Sequence, residues 1–143
     1  MKLHKINDNL SVAAQIRPTD VPKIATLGFK TIICNRPDGE EPGQTCFAEI
    51  EAAAMEHGLQ FEFQPVVSGH MSPQDVSAFF DACKIAAQPV LAYCRTGTRC
   101  TILWAFSQVG RLTPEEIIET AKNAGYDISG LAPALGPSGQ KPG

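Results

Sequence analysis

Cys94 stands where an apolar run gives way to a short polar loop, a position in which a cysteine can act as a nucleophile. The run Val-Leu-Ala-Tyr occupies 90–93, the loop Cys-Arg-Thr-Gly-Thr-Arg occupies 94–99, and a helical pattern of apolar residues begins at Ile102. This order predicts a strand, a loop and a helix. The free N–H groups of such a loop and the positive end of the helix dipole together form an anion-binding site.

The loop after Cys94 has the charges and the glycine that such a site needs. A thiol beside arginines at a helix N-terminus has its pKa lowered from about 8.5 into a range of about 3.5 to 7.5, which makes it a thiolate at neutral pH. Arg99 could also hold an oxyanion through two parallel hydrogen bonds. We therefore predict that Cys94 is a nucleophile. The predicted anion-binding residues are Arg95, Thr96, Gly97, Thr98 and Arg99.

The alternative interpretation of Cys94 is an inert core cysteine at the end of a strand, since free cysteines are often buried. Such a cysteine needs neither a glycine-containing turn nor two neighbouring guanidinium groups. The sequence that follows it, Arg-Thr-Gly-Thr-Arg, therefore favours the reactive thiol.

The composition is that of an ordinary globular protein. The chain has 143 residues, of which 43% are hydrophobic and 19% charged, and its net charge is −3 with neutral histidines. We predict a single domain over residues 1–135 and a disordered tail at 136–143, where glycine, proline and serine dominate. The charge balance gives no basis for nucleic acid or an anionic membrane as a partner. It also gives no indication of an oligomeric state.

The five cysteines and three histidines lack the spacing of metal ligands. The sequence has no Cys-x-x-Cys pair, and its histidines are scattered. We therefore predict no metal and no cofactor. The N-terminus is polar, without the apolar segment of a signal peptide, and no apolar run is long enough for a membrane span. The expectation is a cytoplasmic protein with reduced cysteines.

Apolar runs alternate with helical patterns along the chain, which predicts an α/β fold. The strand patterns lie at 3–6, 10–14, 29–35, 59–66 and 90–93. A cap residue followed by proline marks two helix starts, at Ser72-Pro73 and Thr113-Pro114. Strands that alternate with helices form a mostly parallel central sheet with helices on both faces.

Sites in such sheets lie at the carboxyl ends of the strands. Three loops follow strand ends in this sequence, at 36–41, 66–71 and 94–99. We expect these three loops to converge and to supply the chemistry of the site.

The motif Cys-x-x-Gly, with an arginine soon after it and a helix behind it, resembles the signature of cysteine-dependent protein phosphatases of the tyrosine and dual-specificity type. Three segments together resemble the bacterial family called beta-lactamase-hydrolase-like, phosphatase-like domain. They are Asn-Arg-Pro-Asp-Gly-Glu at 35–40, Pro-Val at 65–66 and Tyr-Cys-Arg-Thr-Gly-Thr-Arg at 93–99. The resemblance covers residues 3–112.

This resemblance implies a protein tyrosine or dual-specificity phosphatase-like fold and a phosphorylated substrate, either a protein or a small molecule. It implies that Cys94 is the nucleophile and that Arg99 and the loop N–H groups bind the phosphoryl oxygens. Water would then release a cysteinyl-phosphate intermediate. No cofactor takes part in this chemistry.

The loop departs from the familiar phosphatase pattern because four residues, rather than five, separate Cys94 from Arg99. A six-residue loop of this kind also resembles the active loop of rhodanese-type sulfurtransferases, in which Cys94 would carry a persulfide. The second rhodanese segment, Gly-His-Ile-Pro-Gly-Ala, is absent, so the phosphatase interpretation ranks first. The remaining alternative is a non-catalytic module that binds phosphate.

The general acid is the second departure. Dual-specificity phosphatases take an aspartate from the loop that corresponds to 66–71, and this loop contains no carboxylate. Asp38 and His70 are the candidate donors, although Asp38 could simply form a turn and His70 could simply be solvated. An enzyme that acts on a good leaving group and needs no acid is the third possibility. Arg36 could orient the substrate or Asp38, or form a surface ion pair.

Cys100 follows Arg99 directly and is predicted to lie near Cys94 if the loop folds back. A reversible disulfide between the two sulfurs would then protect the nucleophile from over-oxidation. The alternative is a small residue that packs at the start of the helix.

Overall fold

A five-stranded sheet forms the centre of the protein, in a computed structural model that describes residues 1–136. The strands are β1 (Leu3–Asn7), β2 (Leu10–Ala13), β3 (Thr31–Cys34), β4 (Gln60–Phe63) and β5 (Val90–Tyr93). The helices are α1 (Val21–Thr26), α2 (Phe47–Glu56), α3 (Pro73–Ile85), α4 (Thr98–Ser107) and α5 (Pro114–Ala124). Short 3-10 segments lie at Pro18–Asp20 and Ser129–Leu135.

The strand order in the sheet is β1-β2-β5-β3-β4. β1 runs antiparallel to β2, and the other neighbouring pairs are parallel, which confirms the predicted mostly parallel sheet. β5 is the central strand, since Leu91 pairs with Ser11 of β2 on one side and with Ile32 of β3 on the other. The loop that follows β5 therefore lies at the middle of the carboxyl edge of the sheet.

Helices cover both faces of the sheet, as the alternation of patterns predicted. Successive side chains of a strand point to opposite faces. In β3, Ile33 packs in one core cluster and Ile32 in the other, and Ala92 and Leu91 of β5 divide in the same way. Helices α3, α4 and α5 supply the first cluster, whereas α1 and α2 supply the second.

The two predicted helix starts are confirmed. The Ser72 hydroxyl accepts the Asp75 N–H at 3.1 Å, and the Asp75 carboxylate accepts the Ser72 N–H at 2.9 Å. Thr113 begins α5 with the same reciprocal arrangement. Each cap satisfies N–H groups that would otherwise lack partners in the first turn of its helix.

Among the described residues, no helix is both long and apolar enough to cross a bilayer. The predicted disordered tail lies, apart from Gly136, outside the described residues.

Candidate active site

Cys94 follows β5 directly, and its sulfur is surrounded by hydrogen-bond donors. The residue is 1% exposed, and the Gly97 N–H donates to Cys94 Sγ at 3.1 Å. The N–H groups of Thr96 and Cys100 and the Cys100 thiol donate to the same sulfur. The Cys100 thiol is the strongest of these influences, and with the amides it outweighs burial and lowers the pKa of Cys94 from 9.0 to about 6. The sulfur of Cys94 is therefore a thiolate at neutral pH.

Cys100 is the partner that keeps its proton. It is completely buried in the first turn of α4, and burial together with the Cys94 sulfur raises its pKa well above 9.0. A protonated thiol can donate to a neighbouring thiolate, so the two sulfurs have opposite roles. The structure thus brings Cys94 and Cys100 together, as the sequence predicted.

Gly97 gives the loop its turn. It has φ of +88°, a left-handed conformation that non-glycine residues rarely adopt, and it precedes α4 directly. A Cβ at this position would collide with the phenol of Tyr126. The Tyr126 hydroxyl donates to Thr96 O at 3.1 Å, and the ring packs edge-on against His4 with centroids 4.9 Å apart. Tyr126 thus supports the loop at Thr96 and Gly97.

Arg99 lies at the start of α4 with its side chain 10% exposed. Its Nη1 donates to Val66 O at 2.9 Å and to Glu40 Oε2 at 3.0 Å, and its Nη2 donates to Glu40 Oε1 at 3.2 Å. Its Nε is buried and has no hydrogen-bond partner. A buried donor without a partner is rare in folded proteins, and it leaves one N–H of this guanidinium available for a ligand.

Arg36 links the carboxylates of the first loop. It is 1% exposed, its Nε donates to Glu40 Oε1 at 3.0 Å, and its Nη2 donates to Glu41 Oε1 at 2.8 Å. Its Nη1 donates to Gln15 Oε1 at 3.0 Å. Arg36 thus forms the ion pair considered from the sequence, but its guanidinium is fully enclosed and does not lie on the surface. Arg36 and Arg99 are linked by Glu40, because both guanidinium groups donate hydrogen bonds to its carboxylate, and Asp38 is not part of this link.

Glu40 is held by two guanidinium groups. Burial alone would raise the pKa of this carboxyl, but hydrogen bonds from Arg99 and Arg36 outweigh burial and lower it. Glu40 is the last residue of the Asn-Arg-Pro-Asp-Gly-Glu segment at 35–40, but the sequence predicted no role for it. The only signal for such a role was its charge, placed four residues after Arg36.

The three predicted loops converge on a cavity of about 790 Å³. Glu40 comes from the first loop, Ser68 and Gly69 from the second, and Cys94, Thr96 and Arg99 are among the contributions of the third. Arg95 and Thr98 also line the cavity, with Arg95 at its rim, 64% exposed. The predicted convergence is therefore confirmed.

One wall of the cavity is apolar. Met71, Ile102 and Phe106 form it, and Met71 and Phe106 also line a neighbouring groove of about 390 Å³. Phe106, on α4, is only partly buried and faces the cavity. Trp104, two residues earlier, is a core residue at 4% exposed.

Two of the predicted residues are not brought to the cavity. The carboxylate of Asp38 accepts the Phe47 N–H at 2.9 Å, at the start of α2. His70 does not line the cavity, although Gly69 and Met71 on either side of it do. The structure therefore does not bring Asp38 or His70 together with Cys94. Within residues 1–136, no three His, Cys, Asp or Glu side chains are grouped to hold a metal ion.

The chain is similar to known proteins in sequence and in fold. The sequence model of the family described as beta-lactamase hydrolase-like protein, phosphatase-like domain, matches residues 2–111. The beta-lactamase hydrolase-like protein of Agrobacterium fabrum is 36% identical over 130 residues, which cover 90% of this chain and 30% of that relative. The chain thus spans 30% of the length of the curated relatives that it matches.

Solved structures give the same fold. A candidate phosphatase from Neisseria meningitidis is 40% identical, with a TM-score of 0.87 over 94% of this chain and 96% of that one. The core catalytic domain of a PP-IP phosphatase from S. cerevisiae is 14% identical, with a TM-score of 0.70 over 93% of this chain and 82% of that one. The second likeness concerns the fold alone. The predicted phosphatase-like fold is confirmed.

Proposed function

Because this chain belongs to the family of the phosphatase-like domain of beta-lactamase hydrolase-like proteins, we propose that it hydrolyses phosphomonoesters with Cys94 as the nucleophile. The observation that carries the proposal is the Cys94 sulfur, a buried thiolate that accepts hydrogen bonds from the loop amides and from Cys100. A thiolate at the base of a cavity can act as a nucleophile and attack an electrophilic atom of a bound substrate. The buried, unpartnered Nε of Arg99, a residue that lines the same cavity, supports an anionic substrate.

The first proposed step is attack of Cys94 Sγ on the phosphorus atom. The sulfur–phosphorus bond forms as the bond from phosphorus to the ester oxygen breaks, and that oxygen keeps the electron pair. The N–H groups of residues 95–99 and the Arg99 Nε hold the phosphoryl oxygens, and charge-assisted hydrogen bonds of this kind are about twice as strong as neutral ones. Arg95, Thr96, Gly97 and Thr98 contribute to this cradle.

The second proposed step regenerates the thiolate. Water attacks the phosphorus of the cysteinyl phosphate, the sulfur–phosphorus bond breaks, and the sulfur keeps the electron pair. The low pKa of Cys94 makes its thiolate a good leaving group in this step. The products are inorganic phosphate and the original enzyme, and no cofactor takes part.

The test is hydrolysis of para-nitrophenyl phosphate by the wild-type protein and by Cys94→Ser and Arg99→Lys. We expect Cys94→Ser to be inactive, because it lacks the thiolate. Arg99→Lys should lose about 10²–10³ in kcat, the usual cost of removing one donor to a developing anion. Cys83→Ser, on α3 and outside the cavity lining, is the matched control and should keep its rate. Turnover that survives in Cys94→Ser would overturn the proposal.

Sulfurtransfer is the second candidate, and one observation favours it. Four residues separate Cys94 from Arg99, so this loop is shorter than the familiar phosphatase loop. In this reaction the Cys94 sulfur would take the outer sulfur of thiosulfate, release sulfite and pass the persulfide sulfur to cyanide, giving thiocyanate. Thiocyanate formation that is lost in Cys94→Ser, without hydrolysis of the aryl phosphate, would assign this activity. Phosphate binding without either turnover would indicate a non-catalytic binding module.

A further inference from the structure

Glu40 is the one carboxylate among residues 1–136 that lines the cavity. Its hydrogen bonds to two guanidinium groups hold it in the ionised form. Its Oε1 accepts from Arg36 Nε at 3.0 Å and from Arg99 Nη2 at 3.2 Å, while its Oε2 accepts from Arg99 Nη1 at 3.0 Å. A proton on Glu40 would leave the fully enclosed Arg36 with a weakened partner, which is costly. Glu40 therefore orients Arg99 and does not supply a proton to a leaving group.

The other carboxylates of the first loop are also occupied. Glu41 accepts from Arg36 Nη2 at 2.8 Å, and its second oxygen lies 3.8 Å from Arg95 Nη2. Asp38 accepts the Phe47 N–H at 2.9 Å. Neither side chain lines the cavity. A general acid must lie within hydrogen-bond reach of the leaving oxygen, so a carboxylate outside the cavity lining is not placed for this role.

The second loop and the hydroxyl groups offer no substitute. The His70 side chain lies outside the cavity lining, and the backbone N–H of His70 donates to Val67 O at 3.0 Å to close a turn. The Tyr126 hydroxyl is committed to Thr96 O. The Thr96 and Thr98 hydroxyls bond to each other at 3.1 Å and are too weakly acidic to protonate an oxyanion at neutral pH. The described cavity therefore contains a nucleophile and an anion cradle without a proton donor.

We propose that the substrate of this site carries its phosphoryl group on an oxygen that departs as a stable anion, as in acyl phosphates and in esters of acidic phenols. The inference rests on the proposed phosphatase function and narrows its substrate class. Cys94 Sγ bonds to phosphorus, the leaving oxygen takes the electron pair, and no protein group gives that oxygen a proton. A positioned acid contributes about 10²–10⁴ in rate, so alkyl phosphates such as phosphoserine lose that factor here.

The apolar wall agrees with an aromatic leaving group. Met71, Ile102 and Phe106 face the cavity beside the loop, and the adjoining groove continues this surface to Val76 and Val109. A phenyl ring is stabilised when it is removed from water against such a wall, in proportion to the apolar area that it buries. A sugar or a serine backbone would gain much less, because its surface is mostly polar.

The experiment measures kcat/KM for aryl phosphates whose phenols range from para-nitrophenol to phenol, together with acetyl phosphate and phosphoserine. We expect kcat/KM to fall by more than about a hundredfold from the nitrophenyl to the phenyl ester, since no acid compensates for the poorer leaving group. Phosphoserine should be slower still. Acetyl phosphate has an acidic leaving group without a ring, so the shortfall of its rate from the value that the aryl series predicts for that acidity measures what the apolar wall adds.

Asp38→Asn and His70→Gln are the matched variants, because each keeps a polar side chain of similar size. The proposal predicts that both retain the wild-type slope across the series. A flat series in the wild type, which becomes steep in Asp38→Asn or His70→Gln, would overturn the inference and identify the acid, while the phosphatase function would stand. Failure to hydrolyse even the nitrophenyl ester and acetyl phosphate would overturn the proposed function itself.

Discussion

Two buried cysteines end neighbouring parallel strands of the sheet, yet their thiols have opposite character. Cys34 is the last residue of β3 and is 2% exposed, and Cys94 follows β5 and is 1% exposed. Burial raises the pKa of Cys34, whose thiol donates to Arg36 O at 3.3 Å. The pKa of Cys94 is lowered to about 6. Burial is the same in both, so burial does not decide which thiol is reactive.

The difference lies in the chain that follows each cysteine. After Cys34 the backbone continues beside β5, where the Asn35 N–H bonds to Tyr93 O. After Cys94 the backbone turns at Gly97 into α4, which directs N–H groups back at the sulfur. A strand end becomes a nucleophilic site when a helix begins immediately behind it.

The largest expected difference between the two cysteines is their rate of alkylation. In the folded protein at pH 7, iodoacetamide should modify Cys94 more than about a thousand times faster than Cys34, because only the thiolate reacts, Cys34 is protonated, and Cys94 alone of the two lines the cavity. Peptide mapping by mass spectrometry after short exposures measures both rates. Similar alkylation rates at Cys94 and Cys34 would contradict the predicted difference in reactivity.

The two cysteines should also contribute to the pH dependence of stability with opposite signs. The pKa of Cys94 is lower in the folded than in the unfolded chain, so its contribution is complete above pH 9 and is lost as pH falls towards 6, by at most about 1.4 kcal/mol per pH unit. The raised pKa of Cys34 gives a contribution that is complete below pH 9 and lost above it. Urea denaturation of the wild type, Cys94→Ser and Cys34→Ala from pH 6 to about 11 measures both. A Cys94→Ser difference that is constant over this range would contradict the prediction.

Gly97→Ala tests the turn that distinguishes the two strand ends. We expect it to lower the free energy of unfolding by about 2–3 kcal/mol, since it adds both an unfavourable φ and a collision with Tyr126. Gly39→Ala is the control, because Gly39 also has a positive φ, +75°, but open space around it, and it should cost about 1 kcal/mol. Equal losses in the two variants would show that Tyr126 does not restrict the turn.

Mild peroxide should also distinguish Cys94 from Cys34, and this is the smallest of the expected differences between them. We expect Cys94 to reduce peroxide and become a sulfenic acid, which the Cys100 thiol then attacks, releasing water and forming a disulfide. Titration with a thiol reagent should show two thiols lost in the wild type, both recovered by dithiothreitol, with Cys34 unmodified. If Cys100→Ser loses as many thiols as the wild type and dithiothreitol recovers them all, a disulfide between Cys94 and Cys100 is contradicted.

The sequence predicted the features that depend on neighbours along the chain. The caps at Ser72 and Thr113, the strand before Cys94 and the turn at Gly97 are each set by residues a few positions apart. The convergence of the three loops also followed from strand order, because parallel strands end at one edge.

The features that the sequence did not predict depend on contacts between distant segments. Arg36 is buried because Gln15 and Glu41 satisfy it from two loops, and an isolated arginine gives no sign of such partners. Asp38 caps α2 nine residues away, so its turn-like sequence suggested only part of its role. Tyr126 reaches the loop from beyond α5, thirty residues from Thr96, with no motif to mark it.

The pairing of Arg99 with Glu40 has a consequence for the end of the reaction cycle. A guanidinium that already faces a carboxylate attracts a free anion less strongly, because the two fixed charges largely cancel at a distance. Inorganic phosphate, once it is no longer bonded to sulfur, should therefore leave readily. We expect product inhibition to be weak in the wild type and stronger in Glu40→Gln, where the arginine is released from its internal counter-ion.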